Sequence, residues 1–149
     1  MQNIGNTNAA VNQLDSFLRG EISSVETYRQ ALDKIQDQRV RNELQNLLRS
    51  HQERCDLLRH RIVELGGTPS QGSGLWGAFA KLIEGAGKAF GVGPALAALQ
   101  QGEEHGLNDY RRDLSDLDPQ SQELMRSRIL PEQERTCRAI TALQQTVPA

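Results

Sequence analysis

Two long stripes of apolar residues at helical spacing constrain this chain more than any other feature. Leu14, Leu18, Glu21, Val25, Tyr28, Leu32 and Ile35 follow one another at intervals of four and three. Val40, Leu44, Leu47, His51, Arg54, Leu58, Ile62 and Leu65 do the same. Such spacing keeps one face of an α-helix against a core. A single helix from 14 to 65 would be roughly 75 Å long at ~1.5 Å per residue, too long for a small globular domain. The stripe also jumps from 35 to 40, so a tight connection is expected near Asp37. Gly66, Gly67 and Pro69 stop the second helix, and residues 66–74 read as a loop.

The second half repeats the pattern. A third helix is expected from about Pro94, with Leu96, Leu99, Glu103, Leu107, Tyr110, Leu114 and Leu117 inward. Gly102 and Gly106 sit one turn apart and suit close helix contact. Asp118-Pro119 reads as an N-cap and first helical residue. A fourth helix carries Leu130, Gln133, Cys137, Ile140 and Leu143, with Glu134 flanking, and Pro131 should kink or divide it. Between the pairs, residues 75–90 fit a short amphipathic helix within a long crossover. Short links joining helices 1 to 2 and 3 to 4, with one long link between the pairs, predict an all-α, ferritin-like four-helix bundle.

Composition agrees and excludes other classes. At 149 residues one domain is expected, with residues 1–12 as a polar, flexible tail and 13–146 as the helical domain. Aromatics make up only 4% of the chain, which argues against a sandwich or barrel. The net charge of −2 supplies no field for nucleic acid. The start lacks the basic and apolar run of a secretory signal, and no segment approaches ~18 apolar residues, so no stable membrane insertion and a cytoplasmic location are expected. With two cysteines there is no disulfide scaffold, and Cys55 and Cys137 are expected as free thiols.

Polar and ionisable residues interrupt each stripe where leucines belong: Glu21, His51 with Arg54, Glu103, and Gln133 with Glu134. Buried charges are rare unless paired or bound to metal. Counted from the two expected turns, Glu21, His51, Glu103 and Glu134 fall within about 3 Å of one another in depth. One polar layer across the middle of the bundle follows. Glu104 replaces Glu103 if the third helix is rotated.

Glu21-Ile-Ser-Ser-Val-Glu26-Thr-Tyr28 resembles the first-helix ligand segment of bacterioferritin-type proteins. Gly102-Glu103-Glu104-His105 with Tyr110 resembles the third helix of rubrerythrin-type proteins. Arg19 to Tyr28, Gly74 to Phe79, Gly102 to Leu107 and Leu130 to Thr136 together are similar to an uncharacterised bacterial family assigned to the ferritin-like superfamily. The likeness covers about residues 14–145 and implies a fold rather than an activity. It directs attention to the di-metal carboxylate pattern, in which two helices each give one Glu and two give Glu-x-x-His. Glu21 and Glu103 match the single carboxylates. The other motifs are broken: Leu48 stands three residues before His51, and Glu134-Arg-Thr-Cys137 ends in Cys.

Two functions follow. The first is a metal-binding protein, an oxidoreductase if an enzyme, holding iron, manganese or zinc through Glu21, His51, Glu103, Glu134 and Cys137. A thiolate ligand would favour zinc. The second is a non-catalytic bundle acting through protein contacts, including a homodimer, in which Arg54 neutralises the buried carboxylates and no metal is bound. Tyr28 and Tyr110, each seven residues beyond a layer glutamate, are expected as core residues with satisfied hydroxyls. His60 and His105 lie off the stripes.

Overall fold

The computed structural model describes residues 4–74 and 91–147. The helix expected within 75–90 lies outside the described residues. Among the described residues the elements are all helical: α1 (Ile4–Lys34), α2 (Gln38–Glu64), α3 (Val92–Asp113), a short 3-10 turn (Leu114–Asp116), α4 (Pro119–Leu124), a π-helical turn (Met125–Ile129) and α5 (Leu130–Gln144). Among the described residues no helix is long and apolar enough to cross a membrane.

The boundaries have local causes. The turn after α1 is three residues long, and the Asp37 carboxylate accepts the Val40 N–H at 3.0 Å as the N-cap of α2. Arg41 donates to the Leu32 and Ile35 carbonyls, placing a cation on the negative end of α1. At the other end of α2, Gly66 adopts φ +85° while its N–H and that of Gly67 bond back to the Val63 and Ile62 carbonyls. This is a Schellman stop, which favours glycine at that conformation. Gly67 also lets Val11 of α1 approach, since a Cβ there would stand 2.6 Å from a Val11 methyl. The Asp118 carboxylate accepts the Ser121 N–H at 3.2 Å, and Pro119 follows as the first helical residue.

Pro131 divides the last rod through the turn before it. Proline lacks an N–H, and its ring crowds the carbonyl four residues back. The chain widens there into a π turn, with the Leu130 N–H bonded to the Met125 carbonyl. On an ideal helix, steps of four residues drift by about 40° each. Ser121, Met125, Ile129 and Gln133 are spaced by four and all buried, because the wider turn absorbs that drift.

Two apolar clusters fill the core. One joins the C-terminal part of α1 (Tyr28, Leu32, Ile35), the N-terminal parts of α2 (Val40, Leu44, Leu47) and α3 (Leu96, Leu99), and the C-terminal part of α5 (Ile140, Leu143). The other joins the opposite ends, with Leu14, Leu18, Leu58, Ile62, Tyr110, Met125 and Ile129. Hence α1 runs antiparallel to α2 and α3, and α2 runs parallel to α3.

The first stripe is buried at every position, and the second at every position through Ile62. The helix reaches back to Ile4, into the segment expected as a tail. Ala10 is fully buried, and Val11 packs on the second cluster. Small and polar residues there carry no apolar stripe, so packing against Gly67 decides the matter.

Candidate functional site

The two clusters are separated by a buried polar layer drawn from α1, α2, α3 and α5. His51 lies at its centre. Its Nδ1 is 2.6 Å from Glu21 Oε2, and its Nε2 is 2.6 Å from Glu103 Oε1. Carboxylates only accept, so the imidazole donates from both nitrogens and carries a positive charge. Burial and the neighbouring Arg54 oppose that charge, but the two carboxylates outweigh them and raise the His51 pKa.

Arg54, one turn along α2, supplies the second cation and is 1% exposed. Its Nη1 lies 3.3 Å from Glu21 Oε1 and donates to Gln133 Oε1. Its Nη2 donates to Thr136 Oγ1 at 3.2 Å, and its Nε to the Ser50 carbonyl at 3.3 Å. The neutral side chains of α5 pass these contacts on to α3. Gln133 Nε2 donates to the Glu103 carbonyl at 2.7 Å and carboxylate at 2.9 Å, and Thr136 Oγ1 donates to Glu103 Oε2 at 2.8 Å. Gly106 leaves room for that amide, since a Cβ there would meet Gln133 Nε2 at 3.1 Å.

The tyrosines close the layer crosswise. Tyr28 of α1 donates to Glu103 of α3 at 2.6 Å, while Tyr110 of α3 donates to Glu21 of α1. The Tyr28 ring lies 5.1 Å from that of His51, and Phe17 packs edge-on to Tyr110 at 4.9 Å.

These contacts set the ionisation of the layer. Burial alone would raise the Glu21 carboxyl, but Arg54 and His51, with the hydrogen bonds of His51 and Tyr110, hold it down at about 2. Glu103 is lowered in the same way, chiefly by His51 against the cost of burial. Burial and the adjoining carboxylates push both tyrosines well above 10, so they remain donors. Two carboxylates and two cations therefore cancel, and all four carboxylate oxygens have donors.

The residues expected at the site thus divide. Glu21, His51 and Glu103 come together. Glu134 and Cys137 do not join them: α5 presents Gln133 and Thr136 to the layer. Glu134 is half-exposed on the flank, 3.5 Å from Arg111. Cys137 is half-buried, with its thiol pKa raised by burial. The physical reason is an ambiguity of spacing. Gln133 to Ile140 can be bridged through 136 or 137 with equally helical intervals, and a threonine with hydrogen-bond work displaces the more apolar cysteine. Glu104 is exposed, so the third helix has the register that favours Glu103. His60 and His105 are exposed, beside Glu64 and Asp109. Both cysteines are free thiols, and burial pushes that of Cys55 up to about 12.

Among the described residues no set of three or more His, Cys, Asp or Glu side chains is arranged to hold a metal ion. Iron, manganese or zinc bound to Glu21, His51 and Glu103 would have to displace the proton on one His51 nitrogen and compete with Arg54 for Glu21. A cavity of about 40 Å³ lies beside the layer between α1 and α3, lined among others by Tyr28, Leu99, Gly102 and Tyr110. It is far smaller than the several hundred Å³ typical of a small-molecule pocket.

The sequence model of a family described as Domain of unknown function (DUF2383) matches residues 9–116, and the chain belongs to that family. No curated protein and no solved structure matches the chain.

Proposed function

We propose that this member of a family of unknown function is a ferritin-like helical-bundle protein with a metal-free ionic core, acting through protein–protein contacts. The observation that carries this reading is Arg54, whose guanidinium lies inside the bundle against Glu21, Gln133 and Thr136. A cation built into the chain does the neutralising work that a metal does in a carboxylate site. The ferritin-like assignment is supported by α2 running parallel to α3, with both antiparallel to α1. The partner in this reading is a second copy of the chain, and the location is the cytoplasm. Sedimentation of the purified protein tests the homodimer, and a monomer at micromolar concentration contradicts it.

A second reading keeps one observation in its favour: Glu21 and Glu103 both converge on His51 at 2.6 Å. In that reading the layer is a degenerate site for iron, manganese or zinc and the protein is an oxidoreductase. It requires Arg54 to withdraw and His51 to lose the proton on the ligating ring nitrogen. Metal content separates the two. The untagged protein, incubated with Fe(II), Mn(II) and Zn(II) and then desalted, is expected to retain no stoichiometric metal. A stoichiometric metal that is lost in both Glu21→Ala and Glu103→Ala overturns the metal-free reading.

A further inference from the structure

We draw no further inference here: the strongest candidate, the small cavity between α1 and α3 beside Tyr28 and Tyr110, borders the polar layer already described, and nothing in the structure shows what covers its rim at Ser24 and Gly102.

Discussion

The α1–α2 and α3–α5 halves of the bundle meet the polar layer with opposite charge. Glu21, His51 and Arg54 give the first half one negative and two positive groups, for a balance of +1. Glu103, with the neutral Gln133 and Thr136, gives the second half −1. Neither half can bury its share of the layer alone without leaving an uncompensated charge, which is costly in a low-dielectric interior. Each half also reaches into the other: a tyrosine from α1 donates to the α3 carboxylate, and a tyrosine from α3 to the α1 carboxylate. The lesson is that polar residues inside a helical bundle can specify which helices pair, while the apolar clusters on either side supply the burial.

Arg54→Ala breaks this complementarity most severely. It leaves the layer with one excess negative charge and removes the donors to Gln133 and Thr136. Loss of one partner from a buried pair costs about 3–5 kcal/mol. Urea unfolding measures it, and combining Arg54→Ala with Glu103→Gln restores neutrality. The double variant should be more stable than the sum of the single losses by about 0.5–3 kcal/mol. Strict additivity would mean that the halves are not electrostatically coupled.

The cross-helix tyrosines come next. Tyr28→Phe and Tyr110→Phe each remove a hydrogen bond to a buried carboxylate, worth about 1.5–3 kcal/mol. The two losses should be similar, because the clasp is reciprocal. A loss confined to one variant would show that only one half depends on the other.

Glu134→Ala and Cys137→Ala should move stability least, by within about 0.5 kcal/mol for the half-exposed Glu134. A large loss for both, read by the same urea titration, would place them in the layer and remove the distinction between Gln133 and Glu134.

The first half was the more legible in sequence. Its stripes from Leu14 to Ile35 and from Val40 to Ile62 predict burial residue by residue, and Asp37 marks the turn. Counting from the turns groups Glu21, His51 and Glu103, which do meet, but it also includes Glu134, which lies on the flank beside Arg111. The second half was read less well from residue 130 onward. Pro131 announces an irregularity, but the spacing does not show that a π turn brings Met125 and Ile129 onto the core face. Thr136 carries no such signal, because a threonine resembles a surface residue until its partners, Glu103 and Arg54, are in view. The sense of the tyrosine bonds depends on α1 and α3 being antiparallel, which no local pattern encodes.

The protonation of His51 tests the central claim most directly. Its folded pKa is raised above the ordinary 6.5, so its contribution to stability is complete below pH 6.5 and is lost as pH rises through the raised value. Glu21 acts in the opposite sense: its contribution is present above 4.5 and is lost as pH falls toward about 2. Stability should therefore be level between pH 4.5 and 6.5 as far as these two groups decide it. Ring ¹⁵N spectra of the protein at pH 7 should show protons on both Nδ1 and Nε2 of His51, with unfolding free energy declining as those protons are removed at higher pH. A His51 ring with one bare nitrogen at pH 7 would contradict an imidazolium held between Glu21 and Glu103.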